Sequence, residues 1–210
     1  MAKPRAKIDL DILTEVGEGS RTSQVTLARR VGVAVGLVNA LLRRLIRNGF
    51  IKFKEAPAKR YIYYLTPSGF AEKSRLLADY IDVSLRFFRE ARTDYLVLFE
   101  DASRQGIRRV VLVGAGELAE IAVVAAWQAE VELVGVVDPA LNRSRFAGQQ
   151  VWRSLDELAE FDAAVLTDGR AAQEIFDRLA ATLPEGRVLS PAFLRIVRPH
   201  TPAAAVGEAR

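Results

Sequence analysis

The sequence contains no cysteine and a single histidine, His200, among its 210 residues. The lack of cysteine excludes disulfide bonds, thiolate zinc sites and cysteine nucleophiles. A catalytic triad or a histidine-based metal site would depend on one residue near the C-terminus. We therefore expect neither a hydrolase nor a metalloenzyme.

Long apolar runs are also missing. No stretch reaches the roughly 18 apolar residues of a membrane helix, so we expect no membrane partner. The N-terminal stretch MAKPRAKIDLDIL carries basic residues but lacks the apolar core of a signal peptide. Half of the residues are hydrophobic, which is enough for a proper core, and we expect a cytoplasmic protein.

The positive charge is concentrated at one end of the chain. Residues 1–65 hold 13 Lys+Arg and 5 Asp+Glu, a net charge of +8, whereas residues 66–210 hold 17 and 21, a net charge of −4. A basic module joined to a mildly acidic one is typical of a nucleic-acid-binding domain fused to a different domain. A chance fluctuation in solvated charge is the alternative.

Apolar periodicity predicts three helices near the N-terminus, over residues 8–16, 23–31 and 35–48. The segments 50–54 (FIKFK) and 60–65 (RYIYYL) are rich in aromatic and β-branched residues and predict a hairpin. Three helices followed by a two-stranded ribbon is the order of a winged helix-turn-helix.

Residues 66–105 have the pattern of two successive helices. Thr66 or Ser68 is a candidate N-cap, with Pro67 in the first turn. The apolar residues between Phe70 and Phe88 are more numerous than a lone exposed helix should carry. We therefore expect part of this surface to form the interface of a homodimer.

Beyond Gly106, apolar strands alternate with helices. Alternation of this kind predicts a parallel sheet of the doubly wound type. The predicted strands are 108–116, 131–139, 150–152, 162–169 and 186–191, and the predicted helices are 117–130, 154–161 and 171–183.

The fold class predicted for the whole chain is therefore α/β with an N-terminal winged helix-turn-helix and a small C-terminal Rossmann-like parallel sheet flanked by helices. The predicted domains are 1–66 for DNA binding, 67–106 as helical linker and dimerisation region, 107–198 for ligand binding, and 199–210 as a tail.

The third helix is the candidate recognition helix for double-stranded DNA. Opposite its apolar face, Asn39, Arg43 and Arg47 follow one another at steps of four residues. Arginine suits guanine edges and phosphates, and asparagine can pair with adenine. The alternative is an ordinary solvated helix face. The candidate DNA-binding residues are Arg21, Ser23, Gly36, Asn39, Arg43, Arg44, Arg47, Lys52, Lys54, Lys59 and Arg60.

The same region resembles a known family. The stretch LARRVGVAVGLVNALLRRLIRNGFIKF and the later LTPSGFAEKSRL are similar to MarR-type winged-helix regulators associated with bacterial exopolysaccharide gene clusters. The resemblance covers residues 20–90. It implies transcription regulation through DNA binding, as a dimer.

A glycine motif marks the second half. GAGELA (residues 114–119) follows a predicted strand and opens a helix, and Asp138 ends the next strand, which is the context of a dinucleotide-binding turn. Glu117 in the first helical turn would oppose a pyrophosphate, and the domain is small. The candidate ligand-binding residues are Gly114, Ala115, Gly116, Glu117, Leu118, Asp138 and Arg143.

This half resembles Rossmann domains of the NAD- or CoA-binding type, including those of enzymes acting on nucleotide-linked sugars. The resemblance implies a nucleotide-type effector such as NAD(H) or a nucleotide sugar. The sequence has no Y-x-x-x-K motif and no room for a substrate domain, so we expect a sensor and not an enzyme. An NAD(P)-dependent or nucleotide-sugar enzyme, and a DNA-binding dimer that senses nothing, are the alternatives.

Overall fold

The computed structural model describes residues 5–19, 23–56 and 60–198. The chain forms two compact units, Met1–Arg86 and Phe87–Arg210. Within the described residues no single helix has the length and apolar composition of a membrane span. Among the same described residues, one pair of helices, Gln24–Val31 and Val35–Arg47, passes that test when the two are counted together, although the chain bends sharply between them.

The first unit has the predicted order of three helices and a hairpin. Its core consists of the apolar residues that the helical periodicity pointed to, among them Ile12, Leu13, Leu27 and Leu42. The elements are α1 (Arg5–Gly17), α2 (Gln24–Val31), α3 (Val35–Arg47), β1 (Ile51–Ala56) and β2 (Arg60–Leu65), with β1 and β2 antiparallel.

The turn after α3 is bonded to the start of the next helix, α4 (Pro67–Arg104). The hydroxyl of Thr66 donates to the carbonyl of Gly49 at 2.6 Å and accepts from the backbone N–H of Gly69 at 3.0 Å. The hydroxyl of Ser68 donates to the same Gly49 carbonyl at 3.0 Å. Thr66 is thus the N-cap, and the LTPSG segment fastens α4 to the end of α3.

The prediction of two helices between residues 66 and 105 is wrong, because α4 is one helix of 38 residues. Neither glycine nor proline occurs between residues 70 and 104, so no residue breaks the backbone hydrogen-bond ladder. α4 supplies Leu76 to the core of the first unit and Ala91, Tyr95 and Phe99 to a core of the second. The predicted boundaries at residues 66 and 106 fall near the ends of α4, whereas the compact units divide it after Arg86.

The second unit is a six-stranded sheet with helices. Its strand order is β5-β6-β4-β3-β7-β8, parallel except for the β5–β6 hairpin at one edge. The parallel sheet predicted from the alternating pattern is therefore present. The elements are β3 (Arg109–Val113), α5 (Glu117–Ala126), β4 (Glu132–Val137), β5 (Arg145–Phe146), β6 (Gln149–Trp152), β7 (Ala163–Leu166), α6 (Ala172–Ala180) and β8 (Val188–Leu189).

Two local features differ from the prediction. The segment 154–161 forms only a single 3-10 turn, Leu155–Glu157, capped by Ser154. Strand β5 was not predicted from the sequence, and it turns into β6 through Ala147 and Gly148, both of which have positive φ. A two-residue turn of this kind makes a tight hairpin.

Small side chains bring α5 close to the sheet. Ala119, Ala122 and Ala125 are fully buried in the same core as Val110 and Leu112 of β3, and side chains this small let a helix approach a sheet closely. Tyr95 is also fully buried, and its hydroxyl donates to the carbonyl of Leu166 at 2.8 Å. Burial raises the pKa of Tyr95, so the phenol remains a protonated donor.

Candidate nucleic-acid interface and ligand crevice

α2 and α3 are related as the two helices of a helix-turn-helix. Their axes are bent by 105°, within the range of about 90–120° that is usual for this motif. Ser23 is the N-cap of α2, and its hydroxyl accepts from the N–H of Thr26 at 3.2 Å. Among the candidate DNA contacts, Ser23 therefore has a structural role already.

One face of α3 is free of packing. Val38, Leu41, Leu42 and Leu45 are buried in the core, as the sequence pattern predicted. The opposite, exposed face is formed by small residues in the first half of the helix and by arginines in the second. These residues are Gly36, Ala40, Arg43 and Arg47.

Two predicted DNA contacts on α3 do not share this face. The guanidinium of Arg44 pairs with the carboxylate of Asp9 in α1, with side chains only 25% and 13% exposed. Arg44 therefore holds α1 and α3 together, whereas the sequence pointed to it only as a candidate DNA contact. Asn39 is half-buried, and within the described part of the chain its Oδ1 has no hydrogen-bond partner.

The first turn of α3 exposes apolar side chains on either side of Gly36, which alone of these three residues is among the candidate DNA contacts. Val35 and Leu37 are 38% and 43% exposed, and the N-cap residue Ala34 makes no side-chain cap. The sequence carried a signal for this at Leu37, which falls outside the Val38–Leu41–Leu42–Leu45 core stripe, whereas Val35 lies one turn before Val38 at the edge of the stripe.

The wing presents lysines on its outer face. Lys52 lies opposite Tyr64 and Lys54 opposite Ile62 in the β1–β2 register, and both lysines are exposed. The other face packs towards α2, where Gln24 donates to the hydroxyl of Tyr63 at 3.0 Å. Arg60 is the first residue of β2. The candidates Arg21 and Lys59 lie outside the described residues.

The second site is a crevice at the carboxyl ends of β3 and β7. The chain leaves β3 towards β4 on one side, while β7 pairs on its other side, so the strand order reverses here. In open parallel sheets, ligands bind outside the carboxyl ends of the strands at such a point. The residues from Gly114 to Leu118 follow β3 and form this part of the crevice.

The two motif glycines differ in what the fold requires. Gly114 has φ +106°, and a β-carbon there would lie 2.7 Å from the β-carbon of Asp168. Gly116 has extended backbone angles, and a β-carbon there would meet nothing within 4 Å. The fold thus demands glycine at 114 but leaves open space at 116.

Asp138 is bonded to the glycine loop. Its Oδ2 accepts from the N–H of Ala115 at 2.9 Å, and its Oδ1 accepts from the N–H of Ala140 at 2.9 Å. The carboxylate therefore ties the turn after β3 to the turn after β4. Both of its oxygens keep a second lone pair for a ligand hydroxyl.

Charges around this loop are mainly negative. Glu117 is exposed in the first turn of α5, and Asp168 lies against Gly114. Arg143 is exposed in the segment after β4, and Leu118 is half-buried. An open cavity of about 450 Å³ lies elsewhere, at the amino end of β3 beside Arg109 and Asp162, so it involves none of the predicted ligand residues.

Comparisons with known proteins bear on the first unit. Residues 5–52 match the family model described as winged helix-turn-helix DNA-binding. This segment is a winged helix-turn-helix. No curated protein is a significant match to the chain.

Several solved structures are similar to part of the chain. A MarR family protein of Mycobacterium tuberculosis, in complex with p-aminosalicylic acid, is 24% identical over 38% of this chain and 61% of that chain, with a TM-score of 0.33. The PcaV transcriptional regulator of Streptomyces coelicolor is 22% identical over 47% of this chain and 74% of that one, with a TM-score of 0.39.

MepR, a transcription regulator of the Staphylococcus aureus multidrug efflux pump MepA, is 18% identical over 38% of this chain and 61% of that one, with a TM-score of 0.34. This chain spans about three fifths of the length of the Mycobacterium tuberculosis protein and of MepR.

Proposed function

We propose that the protein is a DNA-binding transcription regulator of the MarR type. The observation that carries the proposal is the exposed face of α3, where Arg43 and Arg47 project from the third helix of a winged helix-turn-helix. A helix in this position enters the major groove, and arginines on its outer face contact base edges and phosphates. Lys52 and Lys54 on the wing, the β1–β2 hairpin, add contacts to phosphates of the DNA backbone away from α3.

The charge distribution supports the same proposal. The net charge of +8 lies in residues 1–65, which include the winged helix-turn-helix, and the rest of the chain carries −4. We then expect binding to the DNA phosphates to depend on the first unit, and the affinity for DNA to fall steeply as the salt concentration rises. The LTPSGFAEKSRL segment supports the finer proposal that the regulator belongs with the exopolysaccharide-associated type.

The test uses the full-length chain and duplex DNA selected by it from a random pool. Changing Arg43 or Arg47 to Ala should weaken binding and lower the slope of log affinity against log salt by about 1 per lost phosphate contact. Arg178→Ala, an equally exposed arginine on α6, is the matched control. Salt-independent binding, or unchanged binding by both variants, would contradict the proposal.

We also propose that the protein acts as a homodimer through α4. Six large apolar side chains between residues 70 and 85 of this helix are 45–65% exposed in the single chain. Large exposed apolar surface on one helix marks an association site. These residues are Phe70, Leu77, Tyr80, Ile81, Val83 and Leu85.

We further propose that the second unit senses a nucleotide-containing effector. The supporting observation is the open space at Gly116, beside the helix N-terminus at the reversal of strand order. The order of its parallel strands, β6-β4-β3-β7-β8, matches the first five strands of the dinucleotide-binding order. Asp138 would accept from ribose hydroxyls, and Arg143 would meet a phosphate.

Because the carboxylates of Glu117 and Asp168 around the loop would repel a phosphate, we expect the ribose of the effector, and not its phosphates, to lie at Asp138. Titration calorimetry with NADH, a uridine diphosphate sugar and adenosine tests the site, with Asp138→Asn as the variant. We expect one of these compounds to bind and to change DNA affinity. The sensing proposal fails if none binds, or if binding leaves DNA affinity unaltered, and the DNA-binding proposal is then untouched.

A further inference from the structure

The exposed surface of α3 is divided along the helix axis. Its second half carries the arginines Arg43 and Arg47, and its first half carries no charged residue. There the exposed side chains are those of Val35 and Leu37, on either flank of the small residues Gly36 and Ala40. This division separates two kinds of contact on one helix.

We propose that Val35 and Leu37 read thymine methyl groups in the major groove, so that the protein selects operators with thymines under the first turn of α3. The inference rests on the proposed DNA-binding function and adds to it the chemistry of base selection. Arg43 and Arg47 then contact phosphates or flanking guanines.

Two general rules of DNA recognition and one observation lead to this assignment. In a helix-turn-helix, the N-terminal residues of the recognition helix contact the base edges. The thymine 5-methyl is the apolar group among the features that distinguish base pairs in the major groove. Gly36 leaves room for close approach, since a β-carbon there would meet nothing within 4 Å.

The position of Val35 and Leu37 favours a contact with DNA over ordinary exposure to solvent. Val35 and Leu37 lie on the helix that also carries Arg43 and Arg47, so DNA drawn in by the arginines buries the apolar side chains. The half-buried Asn39 next to them is less able to reach a base edge. Apolar contact therefore replaces the asparagine–adenine pairing expected from the sequence.

The experiment removes single methyl groups from the DNA. A duplex selected by the full-length protein from a random pool is resynthesised with deoxyuridine in place of each thymine, which keeps the base pairing and removes only the 5-methyl. At the read positions, Kd should rise about fourfold per methyl, as expected for one carbon-sized apolar contact. At other thymines, Kd should not change.

A double-mutant cycle then assigns each methyl to a side chain. In Val35→Ala or Leu37→Ala, one of these deoxyuridine substitutions should cost nothing further, because the contact is already absent. Val197→Ala, at an exposed valine of the second unit, is the matched control and should keep the full fourfold loss. All these side chains are exposed, and thermal melting checks that the variants are folded.

The outcomes separate the two proposals. If the protein binds DNA with a strong salt dependence but deoxyuridine is neutral everywhere, or its cost persists undiminished in the double variant V35A/L37A, the thymine assignment is overturned and DNA binding stands. If no duplex is enriched and no salt-dependent binding occurs, the DNA-binding function itself fails and the assignment falls with it.

Discussion

The α-carbon of Gly69 lies so close to the main chain of Phe50 that a β-carbon at residue 69 would be 2.0 Å from the Phe50 carbonyl oxygen. This contact joins the start of α4 to the turn that ends α3. Neither backbone can yield easily, since the Phe50 oxygen also accepts from the N–H of Thr66 at 3.1 Å.

Gly69→Ala should therefore lower the free energy of unfolding by roughly 3 kcal/mol, the upper range for overpacking. Urea denaturation measures it. Gly36→Ala is the matched control: its new methyl meets nothing, and loss of a helical glycine should raise stability by about 0.5–1 kcal/mol. Equal effects of the two substitutions would contradict the close approach at Gly69.

Neighbouring arginines of α3 should separate stability from DNA binding. Arg44→Ala leaves the largely buried carboxylate of Asp9 without its partner and should cost about 2 kcal/mol of stability. Arg43→Ala should change stability by less than about 0.5 kcal/mol. Chemical denaturation of Arg44→Ala, Asp9→Ala and the double variant that carries both substitutions measures the pairing energy. Additive losses in the double variant would show that the pair does not interact.

The motif glycines of the second unit should respond differently to a methyl group. Gly114→Ala combines a positive φ with a clash against Asp168 and should cost about 3 kcal/mol. Gly116→Ala should leave thermal stability unchanged while weakening any ligand seated on the loop. Differential scanning calorimetry with and without NADH compares the two. A destabilised Gly116→Ala would mean that the fold itself requires glycine there.

Acid should weaken the second unit through Asp162. The N–H groups of Arg109 and Arg108 donate to its Oδ2 at 2.8 and 2.7 Å and hold the pKa of Asp162 below its usual value of 3.8. Because the pKa is lowered in the folded state, this stabilisation is complete above about pH 4 and disappears as pH falls through the lower folded value. Asp162→Asn should lower Tm at pH 7, and the difference from the original chain should shrink near pH 2. A difference that is the same at both pH values would contradict this role for the charge.

The exposed apolar surface of α4 should control oligomeric state. Ile81→Glu places a charge among Leu77, Tyr80 and Leu85 and should convert a dimer to a monomer, as measured by sedimentation equilibrium. Trp127→Glu, at an aromatic residue of the second unit that is more exposed than Ile81 (76% against 45%), should leave the dimer intact. If the original chain is already monomeric at micromolar concentration, α4 is not a dimer interface.

Much of the fold could be read from the sequence, because the signals are local. Apolar spacing located α1, α2, α3 and the hairpin, and the cap at Ser23 follows from its side chain and position. The alternation of buried strands and helices predicted the parallel sheet. The prediction was wrong within α4, where no glycine or proline supported the break that was expected.

The roles of residues in the two candidate sites could not be predicted in the same way, because they depend on contacts between residues that are distant in the sequence. Arg43 and Arg44 are adjacent and chemically identical in the sequence, and only the packing of α1 against α3 brings Asp9 to one of them. In the same way, the sequence pointed to Gly114 and Gly116 as one motif. Only the position of Asp168 after β7 shows that the first is required by the fold and the second is free.

The sequence by itself determined most of the helices and strands and confined the net positive charge to the first 65 residues, because periodicity and composition act over short distances. The tertiary structure decided which of the polar and apolar residues on α3 remain available to a partner. A side chain's role depends on the residues packed beside it, and here those residues lie on other elements of the chain.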